Sequence, residues 1–527
     1  GLHISVKELT KGKMHIPTYR ALYLDKVLQE SEGVAYERDN RFKLMLRNFK
    51  AVEDSDYEVP TELKSTLRNY QKNGYCWLRT IDDYGFGGIL ADDMGLGKTL
   101  QVITLILAAK QEGKQGTSLV VCPASLIYNW DSELRQFAPE LRVKTITGTA
   151  EERKQSLSNL AEVDVLVTSY DLLKRDIEHY ENLDFLYEIV DEAQYIKNHI
   201  AQSSKAVKLI HAKTRLALTG TPIENRLSEL WSIFDYLMPG FLYRYDRFKK
   251  ELETPITKDN DEIAVARLRK IVTPFIMRRL KKDVLKELPD KIEQVTYSRL
   301  EGEQLKLYDA YVAKVKQSLA GQSTEDFQKN KLKVLADLTR LRQICCDPSL
   351  CYEEYKGDSA KLNTCMELID GAVQGGHKVL IFSQFTSMLR IIAEKLREEK
   401  ISYYEITGAT AKEKRLQLVN NFNQDVTSIF LISLKAGGTG LNLTGADIVI
   451  HYDPWWNVAA QNQATDRAHR IGQKKVVTVF KLIAKGTIEE KILKLQDAKR
   501  DLADQIISGE SSRLTTMSKD DFMELLH

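Results

Sequence analysis

From about residue 61 onwards, short apolar runs alternate with longer segments of helical period. The runs are rich in β-branched residues and nearly continuous, which is typical of parallel strands that are buried on both faces by helices. They therefore predict one α/β domain. The runs are GGILA at 87–91, SLVVC at 118–122, VDVLVTS at 163–169, YEIVDE at 187–192 and RLALTG at 215–220.

The pattern changes between residues 224 and 345. Apolar positions there recur at i, i+3 and i+4 in segments rich in Lys, Glu, Leu and Arg, which predicts helices. Pro289, in LPDK, interrupts this helical stretch because a proline disfavours helix at the residue before it. We place a domain boundary at that proline.

The alternation of apolar runs and helical segments then resumes and predicts a second α/β domain. Its predicted strands are KVLIFSQ at 378–384, SIFLISL at 428–434, DIVIHYD at 447–453 and VTVFKLIA at 477–484. A single helical pattern follows from Thr487 to Ile507. The predicted organisation is a remnant of an amino-terminal region (1–60), a first lobe (61–290, with a helical insertion at about 224–285), a second lobe (291–486, with an insertion at about 300–350) and a carboxy-terminal helix and tail (487–527).

Composition agrees with two or more globular domains. The chain has 527 residues, 43% hydrophobic and 28% charged, which is more than a single hydrophobic core usually holds. The net charge is only +2, so any nucleic-acid surface must be a local one. The chain begins with Gly1 and ends shortly after FMELL, and from this we expect a truncated amino terminus and a natural carboxy terminus.

Neither a membrane protein nor a secreted one is indicated. No apolar run reaches the roughly 18–20 residues that span a bilayer, and no signal-peptide pattern is present. Six cysteines in a chain of this length do not suggest a disulfide scaffold and favour a reducing, intracellular compartment. We expect the cytoplasm, at the nucleoid, for a bacterial protein and the nucleus for a eukaryotic one.

Three cysteines cluster at Cys345, Cys346 and Cys351. A zinc site would need a fourth ligand, and no Cys or His pair stands nearby at zinc-finger spacing. We interpret Cys345 and Cys346 as small apolar residues at the end of a helix.

The strongest chemical motif is ADDMGLGKT at 91–99, between a predicted strand and a predicted helix. A glycine-rich loop at the start of a helix points backbone N–H groups at phosphate. Lys98 would reach the β- and γ-phosphates, and the Thr99 hydroxyl would bind Mg²⁺. Asp92 stands where the strict phosphate-loop pattern has glycine. The remaining predicted nucleotide contacts of the loop are Asp93, Met94, Gly95, Leu96 and Gly97.

Two carboxylates end a later predicted strand of the same domain, in IVDEAQ at 189–194. Asp191 would hold Mg²⁺, directly or through water. Glu192 would orient and deprotonate the attacking water, as phosphoryl transfer to water requires. Together with Lys98, the pair predicts a nucleoside triphosphate hydrolase.

A third motif, QATDRAHRIGQ at 463–473, lies in the second predicted domain. It places Gln463, Arg467 and Arg470 on adjoining turns of a predicted helix. Arginines delivered by a second domain can stabilise charge on the transferred phosphoryl group. A surface charge run is the alternative interpretation.

With these motifs, the sequence resembles the Swi/Snf family of helicase superfamily two, and its bacterial branch in particular. The resemblance runs from Leu67 to about Leu502 and implies two RecA-like α/β lobes with parallel sheets, helical insertions and a carboxy-terminal helix. Further matching segments are LRNYQKNGYCWL at 67–78, VVCPASLIYNW at 120–130, LVTSYDLL at 166–173, LTGTPIENRLSELWSIFDYLMPG at 218–240, FIMRRLKKDVLKELPDK at 275–291, SLKAGGTGLNLTGAD at 433–447 and YDPWWNVAAQNQATDRAHRIGQ at 452–473.

The resemblance also implies roles for individual residues. Gln71 would contact the adenine base, and Gly440 and Gln463 would be further nucleotide contacts. Gln194, which replaces the more usual histidine, would contact the other lobe. The implied DNA contacts are Ser125, Trp130, Thr168, Ser169, Gln384, Lys435 and Trp456.

Two charged features receive structural interpretations. We interpret the run Arg278, Arg279, Lys281 and Lys282 as a solvated segment between the lobes. His469, which lies between the two arginines of the third motif, has no partner cysteine or carboxylate nearby in sequence and is interpreted as structural.

The resemblance implies an ATP- and Mg²⁺-dependent, DNA-dependent ATPase that translocates on double-stranded DNA and remodels or displaces bound proteins. RNA polymerase or another DNA-bound protein is the expected target, and the enzyme is expected to be a monomer away from membranes. Two alternatives stay open. One is a strand-separating helicase, and the other is an ATP-gated factor that grips DNA or RNA polymerase.

Overall fold

A computed structural model describes residues 17–494, apart from 31–35, 51–56, 125, 159, 221–226, 260, 286–287, 321–323, 438–440 and 456–457. The described chain divides into two compact units, the first formed by residues up to Asp93 and by Gly97–Leu280, and the second by Met94–Leu96 and the residues from Lys281 onwards. Each unit has its own parallel sheet, of seven strands in the first and six in the second. This architecture confirms the predicted α/β class.

The first sheet has the strand order β3-β4-β2-β5-β6-β1-β7, and all its neighbouring strands pair in parallel. Its central strands are almost fully buried, as their continuous apolar runs predict. The strands are β1 (Gly88–Leu90), β2 (Thr117–Cys122), β3 (Val143–Thr145), β4 (Val165–Ser169), β5 (Asp184–Asp191), β6 (His211–Leu218) and β7 (Ile276–Met277).

Sequence patterning missed the two edge strands of this sheet, β3 and β7. Each has only two or three residues, too few to show a period, and each is only partly buried. β7 falls inside the stretch that was predicted to be helical, and it pairs with β1 at the strand that leads into the glycine-rich loop.

Helices cover the sheet and fill the insertion of the first unit. They are Thr18–Glu30, Asn40–Lys50, Asn69–Asp83, Lys98–Gln111, Ile127–Phe137, Ala150–Leu157, Tyr170–Arg175, Gln202–Leu209, Leu227–Leu237, Tyr245–Phe248, Thr254–Lys258 and Glu262–Val272, with 3-10 turns at Thr61–Leu63, Ile177–His179, Ala193–Ile196 and Thr273–Phe275 and a π-helical stretch at Lys249–Glu253.

The second sheet has the order β10-β11-β9-β12-β13-β8, again with parallel pairs throughout. β8 and β10 are edge strands that the sequence did not predict, because neither presents a continuous apolar run. The strands are β8 (Lys291–Arg299), β9 (Val379–Ser383), β10 (Tyr403–Ile406), β11 (Ile429–Ser433), β12 (Ile448–His451) and β13 (Val477–Lys485).

The second unit carries two long insertion helices, Gly302–Ala320 and Thr324–Cys346, where a helical insertion was predicted. Its other helices are Lys281–Val284, Ala360–Gln374, Thr386–Glu398, Lys412–Gln424, Leu434–Gly437 and Val458–Thr465, with a 3-10 turn at Pro348–Leu350.

The predicted carboxy-terminal helix begins after Thr487, and its described part ends at Lys494. Ile488 and Ile492 pack into the core of the two insertion helices. The Glu489 carboxylate is fully buried and pairs with Lys361, with Oε1–Nζ and Oε2–Nζ distances of 2.9 Å. This ion pair and the apolar contacts fix the start of the helix to the second unit.

The cysteines behave as small core residues. Cys345 and Cys346 are fully buried at the end of the second insertion helix, and burial raises the pKa of the Cys346 thiol well above its usual value. Within the described part of the chain, no group of three or more His, Cys, Asp or Glu side chains could hold a metal ion. Among the same residues, no helix has the length and apolar character that crossing a bilayer requires.

Candidate nucleotide-hydrolysis site

The glycine-rich loop joins β1 to the helix Lys98–Gln111. Gly95 and Gly97 have φ angles of 85° and 74°, in the left-handed region that glycine enters without strain. Gly97 is the residue that caps this 14-residue helix, so the helix begins at the loop. The arrangement presents backbone N–H groups and the positive end of the helix dipole to a phosphate.

Lys98 and Thr99 occupy the first turn of that helix and are partly exposed. The Lys98 Nζ donates to the Asp92 carbonyl oxygen at 2.7 Å, so the lysine side chain folds back over the loop. Asp93, Met94 and Gly95 are also partly exposed. Leu96 is fully buried, which leaves only its backbone for the predicted nucleotide contact.

Gln71 lies against this loop. A Cβ atom on Gly97 would be 2.4 Å from the Gln71 Nε2, and the Gln71 Oε1 accepts from the Arg68 backbone N–H at 2.9 Å. The side chain is therefore held in place at the loop, although it is almost fully buried.

The predicted carboxylates stand at the carboxyl end of β5, which is two strands from β1 in the sheet. The Asp191 Oδ2 accepts from the Trp130 indole N–H at 2.9 Å, and its Oδ1 accepts from the Glu192 backbone N–H at 2.8 Å. Glu192 has a φ angle of 52°, an uncommon conformation for a residue with a side chain. Strained backbone of this kind is concentrated at functional sites.

Burial, and to a smaller extent the neighbouring Glu192 carboxylate, raise the pKa of Asp191 to about 7. The Trp130 hydrogen bond and the positive charge of Lys98 act in the opposite direction. A carboxylate that is short of compensating positive charge favours the binding of a cation.

Gln194 connects Glu192 to the next strand. Its Nε2 donates to the Glu192 Oε2 at 2.7 Å, and its Oε1 accepts from the Thr219 hydroxyl at 3.1 Å. Both bonds lie within the first unit and orient Glu192 from the end of β6. The contact of Gln194 with the other lobe stays a prediction.

Three residues of the first unit that were predicted to contact DNA have buried side chains. Trp130 is 1% exposed and bonds to Asp191, so it supports the carboxylate. Thr168 is fully buried in β4, and Ser169, also buried, accepts from the Leu172 backbone N–H at 3.3 Å as a helix cap. Helices that cover both faces of the sheet bury β4 together with Thr168 and Ser169. The DNA contacts of the three residues stay predictions.

The structure also corrects the interpretation of the charge run as solvated. Arg279 is bonded to the Asp92 carboxylate in the first unit. Lys281 is 7% exposed, and its Nζ donates to the Asp466 Oδ1 at 2.7 Å and to the His469 carbonyl oxygen at 2.5 Å. The partners of these two residues lie far away in sequence, where a local pattern cannot reveal them.

The arginine motif of the second unit is not a continuous helix. The helix Val458–Thr465 ends before Arg467, and the chain then turns, so the predicted shared helical face for the arginines is wrong. The Gln473 amide donates to three carbonyl groups, those of Thr444, Ala446 and Ala468, and binds the segment to the preceding loop. Arg467 is 2% exposed, while Arg470 and Gln463 are partly exposed.

His469 is structural, as predicted, since its Nε2 lies 2.8 Å from the Pro289 carbonyl oxygen. Gln384 is partly exposed and accepts from the buried Arg342 at 2.8 Å. Ser125, Gly440 and Trp456 fall outside the described residues, as does the side chain of Lys435.

Comparison with known proteins identifies the class. The SNF2-related domain model matches residues 70–350, more than half of the chain, and the helicase conserved C-terminal domain model matches residues 360–472. The chain therefore belongs to the SNF2 family and carries its ATPase core of two RecA-like lobes. The bacterial SNF2 helicase associated model matches residues 1–60, which supports the bacterial branch.

Among individual relatives, the putative ATP-dependent helicase/translocase YwqA of Bacillus subtilis is 39% identical over 506 residues, covering 94% of this chain and 54% of that protein. The fungal TATA-binding protein-associated factor mot1 of Aspergillus fumigatus is 35% identical over 554 residues, covering 93% of this chain and 29% of that protein. The solved SWI2/SNF2 ATPase core of Sulfolobus solfataricus in complex with dsDNA is 40% identical, with 86% of this chain and 95% of that chain covered and a TM-score of 0.44. The chain spans about half the length of its curated bacterial relatives, or slightly less.

Proposed function

We propose that this chain is an ATP-driven translocase on double-stranded DNA that remodels or displaces DNA-bound proteins without separating the strands. The observation that carries the proposal is the joint placement of the glycine-rich loop and the Asp191–Glu192 pair at strand ends of one parallel sheet. Ligands of such sheets bind outside the carboxyl ends of the strands, where both motifs stand.

Each residue of the site has a separate role in ATP hydrolysis. The loop N–H groups and Lys98 bind the phosphates, and Gln71, which lies beside the loop, contacts the adenine base. Glu192 holds and deprotonates the attacking water, with its carboxylate oriented by Gln194. No covalent step on the protein is needed, because positioning and charge stabilisation supply most of the catalysis in phosphoryl transfer.

The donor set of the site fits Mg²⁺. The Thr99 hydroxyl and the Asp191 carboxylate offer the oxygen ligands that this ion prefers. Burial raises the pKa of Asp191 in spite of the positive charge of Lys98, so a further cation would stabilise the carboxylate. When bound, Mg²⁺ would neutralise part of the charge on the β- and γ-phosphates.

The second unit would supply Arg467 and Arg470 to the transferred phosphoryl group. Arginines in this role typically accelerate hydrolysis by about 10³–10⁵. We expect each to act on turnover rather than on ATP affinity, because its charge is needed where negative charge develops.

The names of the relatives support the nucleic-acid part of the proposal. YwqA is named as a helicase or translocase, and mot1 is named as a factor associated with the TATA-binding protein. We accordingly propose duplex DNA as the track and a DNA-bound protein, such as RNA polymerase, as the target. We also propose the cytoplasm as the location and a monomer as the working form.

The test compares ATP turnover without nucleic acid and with single-stranded DNA, duplex DNA and RNA. Duplex DNA should stimulate most. In a second assay, the enzyme should displace the third strand of a DNA triplex but should not unwind a plain duplex. Efficient unwinding would favour the strand-separating helicase, and tight DNA binding with negligible turnover would favour the ATP-gated factor.

A further inference from the structure

Arg279 and Asp92 form a buried ion pair at the entrance to the glycine-rich loop. Asp92 is fully buried, and the Arg279 guanidinium binds both of its carboxylate oxygens, with an Nε–Oδ1 distance of 2.9 Å. The pair joins residues 187 positions apart in sequence. Such two-point contacts fix orientation as well as charge, because the guanidinium and the carboxylate are both planar.

The surrounding residues complete the arrangement. The Arg279 Nη2 donates to the Gln101 Oε1 at 2.7 Å, while the Gln101 Nε2 donates to the Asp92 Oδ2 at 3.2 Å. The Arg279 Nη1 donates to the Tyr70 carbonyl oxygen, and the guanidinium carbon lies 5.3 Å from the Tyr70 ring centroid.

Gly74 provides the space for this cluster. A Cβ atom at Gly74 would be 1.7 Å from the Gln101 Oε1 and 2.7 Å from the Arg279 Nη2. Gly74 lies in the helix Asn69–Asp83, which also carries Gln71. This helix can approach the ion pair only because it has glycine at position 74.

Backbone contacts connect the ion pair to the residues that bind nucleotide. The Arg279 carbonyl oxygen accepts from the Asp93 backbone N–H at 3.0 Å, and the Asp92 carbonyl oxygen accepts from the Lys98 Nζ at 2.7 Å. Arg279, which follows β7, thus holds the first residues of the loop in two ways. Its side chain binds Asp92, and its backbone carbonyl binds Asp93. This also explains the departure at position 92, since a glycine there would leave the guanidinium without its carboxylate.

We propose that Arg279 is a positioning residue for ATP binding, which sets the conformation of the glycine-rich loop through Asp92. Because the inference concerns ATP affinity, it rests on the proposed ATP-driven function. Arg279 touches no reacting atom, so its loss should act mainly on nucleotide affinity. A general loss of folded protein would instead lower the apparent kcat and leave KM unchanged.

The first measurement is the Kd for ATP, by titration calorimetry, together with KM and kcat. Arg279→Gln should raise Kd and KM by at least about tenfold, because it leaves a buried carboxylate uncompensated. Arg279→Lys should restore only part of the affinity, since an ammonium group cannot make the two-point contact. In each variant, kcat at saturating ATP should change less than KM.

The matched control is Arg215→Gln. Arg215 in β6 forms another ion pair of the first unit with the buried Glu188 of β5, at 3.3 Å, and its guanidinium also donates to the Tyr236 carbonyl oxygen at 2.9 Å. Its loss should reduce the thermal midpoint of unfolding as much as Arg279→Gln does, with Kd for ATP unchanged.

A double-mutant cycle tests the connection to Asp92. Asp92→Asn and Arg279→Gln together should weaken ATP binding no more than the worse single variant, because both act through one contact. The inference would be overturned by any of three results. These are a wild-type Kd for ATP in Arg279→Gln, additive losses of ATP affinity in the double-mutant cycle, and an equal rise of the Kd in Arg215→Gln. Wild-type protein that binds no ATP would overturn the proposed function itself, which the same titration distinguishes.

Discussion

At the scale of single residues, the candidate site depends on groups that orient the two carboxylates for which we propose a catalytic role. Trp130 and the backbone of Glu192 bind Asp191, and Gln194 binds Glu192. The Tyr170 hydroxyl donates to the Asp191 carbonyl oxygen at 2.8 Å and anchors the end of β5. The sequence alone does not reveal these contacts, because it does not show which side chains meet at the end of β5.

Glu192→Gln should stop ATP turnover and leave ATP binding nearly intact, because the amide keeps the size of the side chain but cannot accept the proton of the attacking water. The measurements are single-turnover hydrolysis and equilibrium binding of ATP. Glu178→Gln, which neutralises an exposed carboxylate of the same unit, is the control and should behave as wild type. Turnover near the wild-type rate in Glu192→Gln would show that Glu192 is not the base.

His451 should make the second unit sensitive to acid. Burial lowers its pKa to about 3, with a smaller contribution from Lys481, and its Nε2 lies 2.8 Å from the Thr465 hydroxyl. The folded pKa is below the unfolded value, so the stabilising effect is present above about pH 6.5 and is lost as the pH falls towards 3.

Between about pH 6 and pH 4, His451 should contribute up to about 1.4 kcal/mol per pH unit to the loss of unfolding free energy. Urea denaturation at several pH values measures this slope for the wild type and for His451→Gln. The variant should be less stable at pH 7.5, but its stability should fall less steeply on acidification. Equal slopes would show that His451 is not the group responsible.

At the scale of elements, the segment after the helix Val458–Thr465 is held in place by side chains rather than by helical hydrogen bonds. Gln473 binds three carbonyl groups, and Lys281 binds Asp466 and the His469 carbonyl oxygen. Arg467 lies between the two anchoring positions of Lys281. The conformation of the arginine segment therefore depends on a residue 185 positions earlier in the chain.

Lys281→Met should lower kcat and leave the Kd for ATP close to wild type, because it releases the arginine segment while the glycine-rich loop keeps its own contacts. Removing a positioning contact of this kind commonly costs about tenfold or more in rate. Steady-state kinetics and ATP titration provide the two readouts. The neighbouring Lys282→Met, at an exposed position, is the control. A raised Kd with unchanged kcat would contradict this role.

At the scale of the whole molecule, a net charge of +2 on 527 residues limits how many phosphates the protein can neutralise. Each neutralised phosphate of duplex DNA adds about 0.9 to the slope of log affinity against log salt. We therefore expect binding that tolerates any sequence and weakens with salt along a shallow slope. DNA affinity measured on unrelated duplexes over a range of potassium chloride concentrations tests this, and strong sequence preference or a steep slope would contradict it.

The buried strands of both sheets were predictable because parallel strands that are covered on two faces need continuous apolar runs. Each of the nine predicted runs overlaps an observed strand. The four strands that were missed, β3, β7, β8 and β10, are edge strands. An edge strand is short or partly solvated, so its residues carry little periodic pattern, and its existence depends on the neighbour with which it pairs.

The sequence by itself determined the α/β class, the family and the residues of the glycine-rich loop and the Asp191–Glu192 pair. Each of these follows from patterns formed by residues that are neighbours in the sequence. Tertiary structure alone decided what surrounds them. Trp130 meets Asp191 across 61 positions, Lys281 meets Asp466 across 185, and Arg279 meets Asp92 across 187. A charged or aromatic side chain looks the same in sequence whether water or a buried partner surrounds it, and only the folded chain determines which of the two it meets.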